Sequence, residues 1–329
     1  MKIAVYAISK NEEKFAERFC KSAADADEII VGDTGSSDRT VEALQDAGAD
    51  VIPVIIKPWR FDLARNAVLH SVSTDMDICI ALDLDEVLMD GWRDHLETIY
   101  QNMRYTRLKY LFDWGKGHIF TVRKIHGRWG YHWKFPCHEY IVPDPRIKEV
   151  EAESNEILVK HYPDETKDRG HYLELLQATV EENPYCARSR FYLGREYVLA
   201  ENHWAASGVL LQYLGMKEAI WNKERAYAMR LLGDCALKQN DAKQAEEWYR
   251  KGTVEAPEMR EPWVALGQFL ADKHRQTEAL GAFDTALRVF DRESVYMSDP
   301  KCWDGSVERK YKELLGWVTT LSKTMQQVR

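Results

Sequence analysis

In the second half of this chain Leu-Gly opens one and the same spacing three times, at Leu193-Gly194, Leu232-Gly233 and Leu266-Gly267. Thirteen residues beyond each Leu stands an Ala (Ala206, Ala245, Ala279), and four residues further stands a large apolar residue (Leu210, Tyr249, Phe283). Small residues at fixed places let paired helices approach closely, and large ones fill the spaces between pairs. The second and third copies are 34 residues apart and the first interval is 39, so inserted residues are expected near Met216–Lys223. The pattern demands an array of stacked helix pairs, and a last helix over about 307–325 would cap it.

A period of 34 is that of tetratricopeptide repeats. The chain is therefore expected to hold an all-α, tetratricopeptide-like helical repeat domain over residues 165–329, behind a different domain over residues 1–164. The 329 residues suit two domains.

The first domain alternates strand and helix. KIAVYAI (2–8), EIIVG (28–32), VIPVII (51–56) and ICIALD (78–83) read as short, β-branched, buried strands. Pro53 favours an edge position or a bulge for the third. Between them, Phe15, Phe19 and Ala23 mark one helix face, Asp38-Arg39-Thr40 opens a second helix that Gly48 stops, and FDLARNAVLHSV reads as a third. This alternation predicts an α/β domain with a mixed, mainly parallel sheet covered on both faces. Ligands of such sheets sit at the carboxyl ends of the strands, where Ser9–Glu12, Asp33–Asp38 and Asp83–Glu86 fall. After residue 104 the alternation fades, and Trp114–Gly117 reads as a hairpin turn between antiparallel strands.

No apolar run is long enough to cross a bilayer, and the first residues lack a signal-peptide layout, so no membrane insertion and a cytoplasmic location are expected. Six scattered cysteines without a CxxC pair argue against a zinc ribbon or disulfide scaffold and suit buried, reduced thiols. The net charge of −8 does not favour general nucleic-acid binding. Locally, however, Arg104, Arg107, Lys109, Lys116, Arg123, Lys124, Arg128 and Lys134 face one acid, Asp113, with aromatics interleaved. That stretch is either a sheet with a solvated basic face or a surface for something anionic. Trp129, Trp133, His132 and His138 suit a sugar-binding wall or packing under the sheet equally well. Pro58–Asp62 is explained by core packing and a helix start.

Asp83-Leu84-Asp85 closes the buried fourth strand, and alternate strand residues point the same way. Two carboxylates on one side suit Mg²⁺ or Mn²⁺, which commonly bridge carboxylate and substrate phosphate. Asp33–Asp38 can be a turn and helix cap and also a nucleotide contact: Asp33 accepts from a base or ribose, and a helix N-terminus favours phosphate.

AISKNEE, VGDTGSSDRT, FDLARN and LDLDEVL, in this order and spacing, resemble family 2 glycosyltransferases of the GT-A fold over roughly residues 2–100. His138-Glu139 and ILVKHYPDETKDRG resemble the subgroup fused to tetratricopeptide repeats, and phage-encoded members are similar along most of the chain. The resemblance implies a metal-dependent inverting enzyme using a nucleotide-diphosphate sugar, most commonly a uridine diphosphate sugar, with Mn²⁺ or Mg²⁺. It places Asp83 and Asp85 on the metal, Asp85 more directly, and His161 as a third ligand. It places Asn11, Glu12 and Asp33 in the nucleoside pocket with Arg65 and Asn66 beside it, and Glu139 as the general base. Glu86 is the rival base, or a group supporting the metal ligands.

The acceptor stays open among a protein, a glycan and DNA carrying a hydroxymethylated base, protein or glycan ranking slightly ahead. The repeats could hold a peptide or self-associate. Two other readings compete: nucleotidyl transfer, against which the absence of a Gly-rich loop after the first strand counts, and a non-catalytic repeat-based binding module with a decayed transferase domain.

Overall fold

The computed structural model describes every residue except 102–104, 116, 165–171, 293, 294, 328 and 329. The chain divides into two compact units, Met1–His171 and Tyr172–Arg329. The expected boundary at 164/165 opens onto residues outside the described ones, as do Arg104, Lys116 and part of the ILVKHYPDETKDRG stretch.

The first unit runs β1 (Ile3–Ser9), α1 (Glu13–Ser22), β2 (Glu28–Asp33), α2 (Thr40–Asp46), β3 (Asp50–Pro53), α3 (Phe61–Ser71), β4 (Ile78–Ala81), β5 (Glu86–Leu88) and α4 (Trp92–Tyr100). It continues with β6 (Arg107–Asp113), β7 (Ile119–Gly127), β8 (Tyr131–Lys134), β9 (Tyr140–Pro143) and β10 (Glu151–His161). Eight strands form one sheet in the order β3-β2-β1-β4-β7-β6-β10-β5, and β8 and β9 form a separate hairpin. The first four strands of that order are parallel, and β7 is antiparallel to both its neighbours. This is the mixed sheet of the GT-A fold.

Period-2 alternation explains why the sheet is covered on both faces. Ile3, Val5 and Ala7 of β1 enter a core with α1 residues Phe15 and Phe19, while Ala4 and Tyr6 enter another with α3 residues Ala64 and Val68. Each such large side chain contributes about 1.5–3 kcal/mol when fully buried. Helix α3 lies close on β2 because Gly32 carries no side chain there. A Cβ at Gly32 would stand 2.3 Å from Val68 Cγ2. That approach sets where α3 presents its next polar residues, Arg65 and Asn66.

Two strands are shorter than expected. Strand β3 stops at Pro53, which lies on the sheet's edge strand where its missing N–H costs least. Strand β4 stops at Ala81, so Asp83-Leu84-Asp85 lies in a turn and not on the strand. Within that turn the Glu86 N–H donates to the Asp83 carbonyl at 2.9 Å, and the Asp83 N–H donates to Glu86 Oε2 at 3.1 Å. The hairpin between β6 and β7 turns at Trp114–His118, with Gly115 and Gly117 at φ +91° and +76°.

The second unit comprises α5 (Tyr172–Glu182), α6 (Ala187–Leu199), α7 (His203–Leu214), α8 (Asn222–Lys238), α9 (Ala242–Glu255), α10 (Arg260–Asp272), α11 (Gln276–Leu287) and α12 (Ser306–Gln327). Helices α6/α7, α8/α9 and α10/α11 are the expected pairs. A Cβ at Gly194 would meet Leu210 Cδ2 at 2.6 Å, one at Gly233 would meet Tyr249 Cε1 at 2.6 Å, and one at Gly267 would meet Phe283 Cε1 at 2.9 Å. Ala206, Ala245 and Ala279 are fully buried. The extra residues of the first interval form the link between α7 and α8. Asn202 and Asp241 cap α7 and α9 by accepting from the N–H groups of Ala205 and Gln244. Val307 and Leu314 of α12 join the core of the last pair, as a cap should. The α11–α12 link folds back on the first helices of the pairs: Tyr296 stacks on Tyr192, and Trp303 Nε1 donates to Glu261 at 2.9 Å.

Candidate active site

The carboxyl ends of β1 and β2 are knitted together by their own polar groups. Asp33 accepts from the Gly35 and Ser36 N–H groups, each at 3.0 Å, which folds DTGS into a turn with Gly35 at φ +101°. Asn11, itself at φ +53°, accepts from the Ser37 N–H at 2.7 Å, and the Glu12 N–H donates to Thr40 Oγ1 at 2.7 Å. Glu12 is buried beneath these turns. Asn11, Glu12 and Asp33 thus stand side by side at the strand ends, and Asp38 receives the N–H of Thr40 at the start of α2.

Arg65 is buried, and its fork spans two carboxylates. Its Nε donates to Glu139 Oε1 at 2.7 Å, and one terminal nitrogen donates to Asp83 Oδ1 at 2.5 Å. The guanidinium also stacks over Trp133 at 4.8 Å. Burial opposes its charge, yet Asp83 and Glu139 more than compensate and hold its pKa above the ordinary value. Burial pushes the Glu139 carboxyl up, and Arg65 pulls it back toward the charged form. Arg65 therefore sits between the two carboxylates and not merely beside a nucleoside pocket.

Asn66 spends its side-chain amide on backbone. Its amide oxygen accepts from the Trp133 N–H at 2.8 Å and its amide nitrogen donates to the Trp133 carbonyl at 2.9 Å. Both polar ends are spent on backbone, so Asn66 is a bracket tying α3 to β8. That bracket fixes the β8–β9 hairpin, whose loop ends at Glu139. Phe135 and His138 in this loop hold φ of +83° and +50°, conformations that side chains with a Cβ seldom adopt.

Asp85 and His161 meet because β5 and β10 pair with Glu86 opposite His161. Asp85 Oδ2 stands 3.3 Å from His161 Nε2, and both side chains are nearly buried. Asp83 does not join them. It is drawn to Arg65 and to the Lys124 ammonium at 3.4 Å, because two cations beside it neutralise its charge. Among the described residues no group of three or more His, Cys, Asp or Glu side chains is arranged to hold a metal ion, so the expected set of Asp83, Asp85 and His161 is not preassembled. The Asp85–His161 pair does fit a cation. Its 3.3 Å gap is that of adjacent donors around an ion with bonds of about 2.1–2.3 Å. Diphosphate oxygens and water commonly complete such a shell.

Glu86 is buried, with one oxygen on Lys124 at 2.6 Å and the other on the Asp83 N–H. Burial raises its pKa to about 7 against the pull of Lys124. Both of its oxygens brace the turn. Lys124 was legible only as one of a basic stretch. Simple period-2 alternation does not place it, because β7 is irregular there: Ile125 and Val122, three residues apart, stand opposite Leu108 and Tyr110, two apart.

Among the described residues, three further cations of the basic stretch are paired with acids. Arg107 pairs with Glu149 at 3.0 Å, Lys109 with Glu153 at 2.7 Å and Arg123 with Glu151 at 2.6 Å. Arg128 is buried and donates to the carbonyls of Val72 and Ser73. Trp133 is core: its Nε1 donates to Tyr6 Oη at 2.8 Å, and Tyr6 Oη also meets His126 Nε2 at 2.9 Å. Trp129 is exposed, with Arg128 over its ring.

The family model described as Glycosyl transferase family 2 matches residues 5–141, which carry all of this constellation except His161. Uncharacterized glycosyltransferases of Rickettsia bellii and Rickettsia typhi are 32% and 33% identical over 107 residues, 32% of this chain. The chain spans about a third of their length, 35% in each case. Among solved structures, glucosyl-3-phosphoglycerate synthase from Mycobacterium tuberculosis is 25% identical, covering 34% of this chain and 44% of that one, with a TM-score of 0.28. The tetratricopeptide protein YrrB is 17% identical, covering 45% of this chain and 69% of that one, with a TM-score of 0.33.

Proposed function

We propose that this protein is a metal-dependent inverting glycosyltransferase that uses a nucleotide-diphosphate sugar, with uridine the expected base. The observation that carries the reading is the Arg65 bridge. It brings the Asp83 carboxylate at the end of β4 and the Glu139 carboxylate of the β8–β9 loop onto one guanidinium, with Asp85 and His161 on the other side of the same turn.

Asn11, Glu12 and Asp33 line the nucleoside side. Asp85 and His161 would hold Mn²⁺ or Mg²⁺, whose chemistry when bound would be to offset the charge on the departing diphosphate. Glu139, held on Arg65, takes the proton of the acceptor nucleophile as its bond to the anomeric carbon forms. The diphosphate leaves with the electron pair of the broken bond, and the carbon inverts. A base so placed is worth about 10²–10⁴-fold.

For the acceptor, protein or glycan ranks above modified DNA. The paired arginines and lysines of β6 and β7 leave little uncompensated charge for a polyanion. No described helix is long and apolar enough to cross a membrane.

Calorimetric titration of nucleotide diphosphates and nucleotide sugars, with and without Mn²⁺, tests the proposal, with Asp85→Ala as control. Metal-dependent binding of one nucleotide, lost in the variant, is expected. Folded protein that binds none of them would overturn the reading in favour of a repeat-based binding module.

A further inference from the structure

Trp114 is nearly half exposed, at 47%, at the end of the β6 arm of its hairpin. Its N–H donates to the His118 carbonyl at 2.9 Å, which braces the turn that carries it. Its ring lies against His161, centroids 4.3 Å apart and planes 35° from parallel. Phe112 and Phe120 stand behind it, at 6.0 and 6.4 Å. Phe112 in turn lies under the Lys124 ammonium that reaches Asp83 and Glu86. An aromatic wall thus begins where the Asp85–His161 pair ends.

Resting on the reading of this site as a sugar-nucleotide site, we propose that Trp114 is the platform for the sugar ring being transferred. A diphosphate bound through a cation that Asp85 and His161 would hold would carry its hexose next to its outer phosphate, close to an indole in contact with His161. One face of a hexose is a set of C–H groups, which loses little by leaving water and gains contact on a flat aromatic surface. Trp129 and Trp133 do not serve: the structure spends one on Arg128 and buries the other on Tyr6.

Saturation-transfer NMR with Mg²⁺ and a panel of uridine, guanosine and thymidine diphosphate hexoses tests this, because the nucleobase protons are an internal reference. In the intact protein the hexose C–H signals should be strong relative to the base. In Trp114→Ala the hexose-to-base ratio should fall at least about two-fold, and Trp114→Phe should keep most of it. An unchanged ratio in Trp114→Ala, or a loss of hexose and base signals together, overturns the platform. A wild-type protein that saturates no nucleotide at all overturns the transferase reading beneath it, and the platform with it.

Discussion

Arg65 Nε reaches Glu139 Oε1 at 2.7 Å across 74 residues of chain, and the same guanidinium holds Asp83. The pair makes one unit of a helix, a turn and a hairpin loop. Removing the cation leaves two carboxylates without it, one of them nearly buried. Arg65→Ala should therefore lose about 3–5 kcal/mol of stability. Arg65→Lys should fold better yet lose about 10²-fold in kcat, since an ammonium cannot span both carboxylates in one plane. Chemical denaturation and turnover, measured on the same samples, separate the two effects.

Glu139 and Glu86 should respond differently to amide substitution. Glu139→Gln keeps the shape and removes the base, so kcat should drop about 10²–10⁴-fold with nucleotide affinity nearly unchanged. Glu86→Gln should instead weaken the turn that carries Asp83 and Asp85, and so raise the dissociation constant for metal-bound nucleotide. Equal kcat losses with unaltered binding in both variants would contradict this division of roles.

His161 should matter for the ion more than for the fold. His161→Ala should weaken Mn²⁺-dependent nucleotide binding about 10–100-fold in calorimetry while the melting temperature moves little. Unchanged ion dependence would leave Asp85 without the neighbour assigned to it.

His126 is buried on Tyr6, and burial pushes its pKa down to about 3. A histidine depressed in the fold binds its proton more readily in the unfolded chain. Its contribution is thus fully present above the unfolded value of about 6.5 and is lost as pH falls from there toward 3. The wild-type protein should lose a few kcal/mol across that window, by denaturant titration at stepped pH, and His126→Gln should show a shallower slope.

The glycines of the repeats give opposite expectations. Gly233→Ala would force a Cβ to 2.6 Å from Tyr249 and should cost about 1–3 kcal/mol through overpacking. Gly208, exposed within α7 with open space around it, should tolerate Ala and gain about 0.5–1 kcal/mol. Paired thermal melts would show the two signs.

Much of the fold was legible because periodicity is local. The Leu-Gly, Ala and large-apolar triplets named the very contacts that close each helix pair, Gly194 on Leu210, Gly233 on Tyr249 and Gly267 on Phe283. The strand–helix rhythm likewise placed Asn11, Asp33 and Asp83 at strand ends. What one-dimensional reading missed is partnership. Asn66 looked available until both its amide atoms were found on Trp133, and Lys124 looked like surface charge until it lay between Asp83 and Glu86.

The amino-acid sequence by itself determined the two rhythms, the turns that follow each strand, and the acids gathered at those turns, since each depends on neighbours a few residues away. Tertiary structure alone decided which charges meet. Parallel pairing of β6 with β10 set Glu151 beside Arg107 and Glu153 beside Lys109, cancelling a stretch that reads as strongly basic. The placing of α3 over β2 gave Asp83 to Arg65 and left Asp85 to His161. A buried charge takes whichever partner the packed elements put within about 3 Å, and that choice is made by register and helix position, not by spacing along the chain.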